Sequence, residues 1–179
     1  MNDILLFKDL DTIEQTGLPY CIINNTLLSL YRDGKCFDGE RRECVVLMWS
    51  SDRPKISERK DKVWETAGNS GWGNINLKDK IAINFVTEVS GKLVVNPYAE
   101  NYFVFEKYVL LPYLTLTYKG RNIPIPHDPD KYLTMFYDKW RIPVPAGEWN
   151  WVNSKGIIRA QNPDEAVRIY KQNESSTSN

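Results

Sequence analysis

At 179 residues the chain fits one domain, and its 42% hydrophobic residues are enough for a core, with the 12% that are aromatic filling much of it. Lys plus Arg and Asp plus Glu number 23 each, so net charge gives no general pull toward nucleic acid or anionic lipid, and a generic nucleic-acid binder is not favoured. No stretch approaches the roughly 20 apolar residues of a membrane-spanning helix, which argues against membrane insertion.

The start, Met1 to Asp9, has neither a cationic opening nor a long apolar segment and does not read as a signal peptide. Cys21, Cys36 and Cys44 are odd in number and form no C-x-x-C pair. They read as free packing thiols of a reducing, cytoplasmic compartment. His127 is the single histidine, so a His-rich zinc site is excluded and any metal would need oxygen ligands. Between Pro126 and Asp128 it reads as structural or exposed, with no evident partner for general-base work.

The pattern predicts a first helix from Asp3 to Thr16, with Ile4, Leu5, Leu10 and Ile13 near one face and Gly17 and Pro19 as the stop. Tyr20 to Ile23 reads as a short buried strand. Asn24 or Asn25 then caps a helix through Tyr31, and Asp33-Gly34 turns into a polar loop reaching Glu43. Cys44 to Trp49 is apolar throughout, as a strand buried on both faces would be.

Ser50 to Asn76 reads as loop, with a short helical turn near Lys62 to Thr66 and a glycine cluster around Trp72 that lacks a phosphate-loop pattern. Ile81–Val86 and Lys92–Val95 suggest a hairpin through Ser90-Gly91. Tyr102–Phe105, Leu114–Tyr118 and Asn122–Ile125 add strands, with Lys119-Gly120 as a turn. Asp128-Pro129 is a helix start, and Tyr132, Leu133, Phe136 and Trp140 make its apolar face before Pro143 and Pro145. Asn162-Pro163-Asp164-Glu165 repeats the signal as a capping box for a helix through Tyr170. The organisation expected is one domain over 1–170 and a disordered tail over 171–179. Trp149 and Trp151 could form a stacking surface or divide between packing and partial exposure.

Two segments carry a resemblance. The first is Asn24-Asn25-Thr26-Leu27-Leu28-Ser29-Leu30-Tyr31-Arg32-Asp33-Gly34. The second runs from Phe105 to Pro145 and includes Leu111-Pro112, Tyr118-Lys119-Gly120, Ile123-Pro124-Ile125-Pro126, Asp128 to Leu133 and Tyr137-Asp138-Lys139-Trp140. In this order they resemble the LicD/fukutin family of phosphotransferases, over roughly Leu18 to Trp149. The resemblance implies a mixed α/β domain with a nucleotidyltransferase-like central sheet flanked by helices. It also implies transfer of a phospho-alcohol from a cytidine diphosphate carrier, with Mg²⁺ or Mn²⁺ held by acids.

The departures from that pattern bear on function. The family's glycine pair is Asn24-Asn25 here. Its Asp-x-Asp falls on Glu40, Arg42 and Cys44, and the later strand's acid falls on Asn84. Asp38, Glu40 and Glu43 read either as a rearranged catalytic and metal site or as a mixed-charge loop beside Arg41 and Arg42. Asn25, Thr26, Arg32, Arg42 and Asn84 are the candidate substrate and phosphate contacts; Arg32 reads equally as a surface arginine. The changes together favour a non-catalytic descendant that binds a cytidine nucleotide-linked small molecule or a protein partner. The alternative is a divalent-metal-dependent phosphotransferase.

Overall fold

The computed structural model describes residues 3–36, 44–57, 63–65, 75–77, 81–143, 154 and 156–177. Helices α1 (Asp3–Glu14) and α2 (Asn24–Asp33) flank strand β1 (Tyr20–Ile22), and β2 (Cys44–Trp49) follows. A 3₁₀ turn at Ser50–Asp52 leads into α3 (Arg53–Ser57). Then come β3 (Val63–Glu65), β4 (Ile75–Leu77), β5 (Ile81–Val89), β6 (Lys92–Tyr98) and β7 (Asn101–Phe105). The chain continues through α4 (Lys107–Leu110), β8 (Leu114–Tyr118), β9 (Arg121–Ile125), α5 (Pro129–Tyr137), β10 (Ile157–Arg159) and α6 (Pro163–Thr177).

This is a mixed α+β architecture, a central sheet flanked by helices. The main sheet runs β1-β2-β5-β6-β7-β10, and β4 joins β3 to the N-terminal part of β5. All pairings are antiparallel except β2 with β5, which run parallel from Cys44↔Ile81 to Trp49↔Val86. A parallel pair must be joined by a crossover and is buried on both faces, which explains the unbroken apolar run of β2. A separate hairpin of β8 and β9 lies against β1.

Alternation along β7 divides the core between two faces. Phe103 and Phe105 point toward α5, where Phe103 stacks on Phe136 and Phe105 meets Tyr132 edge-on. Tyr102 and Val104 point the other way, into a smaller cluster with Val94, Ile158, Ala166 and Val167 under α6. Among the described residues no helix is long and apolar enough to cross a membrane.

Several expectations are met by specific bonds. Asp128 accepts from the Lys131 amide at 2.9 Å, with Pro129 opening α5. Asn162 accepts from the Glu165 amide at 2.9 Å, while the Glu165 carboxylate reaches back to the Gln161 amide at 2.8 Å. The three cysteines are free and buried. His127 is exposed, with Nδ1 3.0 Å from the Pro112 carbonyl oxygen.

Other expectations need correction. Val63–Glu65 is a strand, not part of a helical turn, because it finds a partner in β4. Helix α6 continues past Tyr170 to Thr177: Lys92 pairs with Glu174, Tyr170 donates to Glu174 at 2.9 Å, and Ser175 and Ser176 bond back to the preceding turn. Helix α5 ends at Tyr137, before Trp140, because Asp138 adopts a positive φ of 51°. The glycines around Trp72, and Trp149 and Trp151, lie outside the described residues.

The start of α1 is latched to the hairpin by one carboxylate. Asp3 accepts from Tyr118 Oη at 2.7 Å and from Cys36 Sγ at 3.2 Å, and it pairs with Lys119. The Lys119 hydrogen bond above all, then those from Tyr118 and Cys36, lowers the Asp3 pKa to about 2. A depressed acid contributes stability above its unfolded pKa and loses it as pH falls through the folded value. Wild type is therefore expected to lose more stability between about pH 4 and pH 2 than an Asp3→Asn variant. Thermal melts across that range check this, and equal slopes for the two proteins would contradict it.

Candidate functional site

The candidate site lies where β1 hands over to α2 beside the start of β2. The Ile23 amide donates to the Val45 carbonyl at 3.0 Å, extending the β1–β2 ladder by one bond. The chain then turns sharply. Asn24 has φ of 50°, a left-handed conformation that favours glycine and that asparagine tolerates better than most side chains. A backbone conformation that favours glycine is thus carried here by an asparagine.

Thr26, 1% exposed, fixes the other end of the turn. Its Oγ1 accepts from the Val45 amide at 2.9 Å, so the first turn of α2 is bonded directly to β2. Thr26→Val keeps the shape and leaves that buried N–H without its acceptor. The variant is expected to lose about 1–3 kcal/mol in denaturant unfolding, and Thr26→Ser to lose much less.

Two tyrosines from α5 close over the turn. Tyr137 Oη donates to Asn25 Oδ1 at 2.7 Å, and Tyr132 Oη lies at the limit of bonding distance, 3.5 Å, from Asn24 Oδ1. Burial pushes both phenols well above their ordinary pKa, so both remain protonated donors at neutral pH. Tyrosines at these positions read as core residues in the sequence; their hydroxyl partners stand more than a hundred positions earlier in the chain, at Asn24 and Asn25.

The candidate residues do not all converge. Asn25 and Thr26 sit together at the N-terminus of α2. Arg32 is near the far end of the same ten-residue helix, roughly 10 Å away at 1.5 Å per residue. There its guanidinium donates to both Asp33 carboxylate oxygens, at 2.7 and 2.9 Å, and to the Trp140 carbonyl at 2.8 Å. Its bonds tie α2 to the segment after α5, a contact reinforced by Tyr31 and Trp140 with ring centroids 5.8 Å apart. Asp38, Glu40, Arg42 and Glu43 lie outside the described residues, as does Arg41.

Asn84 stands on β5, in the row Cys21–Leu47–Asn84 that crosses three strands on one face. It is 4% exposed, and its Oδ1 has no hydrogen-bond partner among the described residues. Tyr113 Oη is the other buried side-chain atom without a partner among the described residues. Burial, then the nearby Cys21, pushes the Tyr113 phenol up. Cys44 opens β2 with its thiol fully buried, and burial first, then Asp9, holds it protonated.

Cys44 and Asn84, where the sequence resemblance leads one to expect acids, carry a protonated thiol and a neutral amide. These do not fit a hard divalent ion, which is bound through carboxylate-rich oxygen sets. Among the described residues no group of three or more His, Cys, Asp or Glu side chains is placed to hold a metal. What this end of the sheet offers is a neutral, hydrogen-bonded turn in which Asn24, Asn25 and Tyr137 are partly exposed while Thr26 and Tyr132 are buried. No protein-family model matches the chain, and no curated protein matches it.

Proposed function

We propose that this chain is a divergent LicD/fukutin-like protein of nucleotidyltransferase type, retained as a non-catalytic binding module. Its ligand would be a cytidine nucleotide-linked small molecule or a protein partner, met at the β1–α2 turn. The observation that carries this reading is the turn at Asn24 taken with the neutral residues Cys44 on β2 and Asn84 on β5, which stand three rungs apart on opposite faces of the sheet. A strand–turn–helix unit is present, with Asn24 in a glycine-like conformation and Thr26 bonded to β2, while Cys44 and Asn84 are neutral and buried. A scaffold that retains its turn and exchanges charged ligands for neutral packing is suited to binding rather than to metal-assisted transfer. The free, buried thiols support a cytoplasmic setting.

The test is turnover of CDP-linked alcohols with Mg²⁺ or Mn²⁺, offered glycan and simple hydroxyl acceptors. No metal-dependent release of CMP is the expected result. Release that disappears in Glu40→Ala and Glu43→Ala variants would replace this reading with that of a metal-dependent phosphotransferase.

A further inference from the structure

We propose that β8 is a docking edge for β8 of a second copy of this chain, the two strands pairing antiparallel about a two-fold axis at Leu116. The phase of the hairpin decides which backbone groups of β8 face outward. Lys119 and Gly120, with φ of 47° and 80°, form the turn, and Tyr118 faces Arg121 across it. In a hairpin closed this tightly with both turn residues at positive φ, the closing pair exchanges both backbone hydrogen bonds and the pattern alternates from there. Tyr118, Leu116 and Leu114 therefore bond to β9, while the N–H and C=O groups of Thr115 and Thr117 point to the outer side.

Pro124 agrees with this phase. It lies opposite Thr115, a rung where neither strand needs the N–H that proline lacks. On its other side β9 lies against β1, so among the described residues the outer side of β8 is the unpaired edge of this hairpin. Thr115 and Thr117 are exposed, and Leu114 is 41% exposed.

Protein sheets blunt such edges with lysine, proline or a bulge. Between Leu114 and Tyr118 β8 has none of these, and its register is unbroken. The large sheet ends, by contrast, in a three-residue strand, β10, that carries Arg159.

The sequence of β8 is complementary to itself. Placing Leu116 opposite Leu116 of the second copy sets Thr115 opposite Thr117 and Leu114 opposite Tyr118. The outward N–H and C=O groups of the two threonines then meet their counterparts as bonded pairs. No like charges face each other, since Lys119 falls opposite Tyr113. A two-fold axis that matches a patch to itself is the usual way identical chains associate, and pairing along one short strand makes a small, concentration-dependent interface.

Sedimentation equilibrium of the full chain over a concentration series tests the proposal. The expected mass rises from that of one chain, 20.8 kDa, toward twice that value. Thr115→Lys combined with Thr117→Lys sets lysine against lysine at two rungs and is expected to weaken association on the order of tenfold. Thr115→Lys combined with Thr117→Glu, which sets opposite charges at the same rungs, is expected to restore it. Thr115→Pro, which mirrors Pro124 across the hairpin, removes an outward donor without touching the β9 ladder and is expected to weaken association with an unchanged monomer melt. A wild type that stays at one chain's mass throughout would overturn the proposal. So would association indifferent to the Lys/Lys and proline changes, or a Lys/Glu pair that restores nothing.

Discussion

Replacing Asn84 by aspartate is expected to destabilise the protein by about 3–4 kcal/mol at pH 7 and to return most of that stability as the pH falls toward about 4. The two side chains have nearly the same shape, so packing on β5 changes little. The difference is electrostatic. Asn84 is almost fully buried, its Oδ1 has no partner among the described residues, and the residue paired with it on β2 is Leu47. Full burial raises a carboxyl by as much as about 3–5 units, and each unit corresponds to about 1.4 kcal/mol.

Because the folded pKa would then lie above the unfolded one, the variant is most stable below the unfolded value and loses stability as pH rises toward the folded one. Denaturant unfolding between pH 4 and pH 8 measures this directly. Asn84→Leu, which removes the orphaned acceptor altogether, is expected to be neutral or mildly stabilising. If Mg²⁺ or Mn²⁺ restored the aspartate variant at pH 7, a latent metal site would be present and the non-catalytic reading would fall. No such rescue is expected.

Truncating Phe103 to alanine is expected to cost about 3–5 kcal/mol, the range for a fully buried aromatic. Phe103 is 0% exposed and stacks on Phe136 with ring centroids 3.8 Å apart. Phe136 stacks in turn on Tyr132 at 4.7 Å, and Tyr132 meets Phe105 edge-on at 6.0 Å. The four rings seat α5 on the sheet, and α5 delivers the Tyr132 and Tyr137 hydroxyls to Asn24 and Asn25. Loss of Phe103 is therefore expected to loosen the candidate site along with the core. Hydrogen exchange at the α5 amides should quicken in Phe103→Ala and much less in Phe103→Leu. Unchanged exchange in the alanine variant would show that α5 is held by something other than this stack.

What could be read in the sequence was local chemistry. Asp128-Pro129 and Asn162-Pro163 announce helix starts because a cap acts within one turn, and the caps form where expected. The run from Cys44 to Trp49 announces a buried strand because both of its faces are apolar. The strands Val63–Glu65, Ile75–Leu77 and Ile157–Arg159 were not legible, since three residues carry no readable period and depend on the strand beside them.

The site was legible in part. Asn25 and Thr26 were named from the resemblance, and they stand at the N-terminus of α2 beside β2. The role of Arg32 depends on Trp140, 108 positions later, and that of Asn25 on Tyr137, 112 positions later. Pairings at such separation are fixed by the fold as a whole and leave no mark in the spacing of residues.

The most direct test of the central claim is a thermal-shift comparison of the full chain with cytidine nucleotides and CDP-linked alcohols, each with and without Mg²⁺ or Mn²⁺. A ligand at about 100 times its Kd should stabilise the fold by about 2.7 kcal/mol, which is readily seen in a domain of this size. The account predicts that any stabilisation by these compounds is the same with and without the metal. A shift that appears only with the metal, and vanishes in Glu40→Ala and Glu43→Ala, would contradict it.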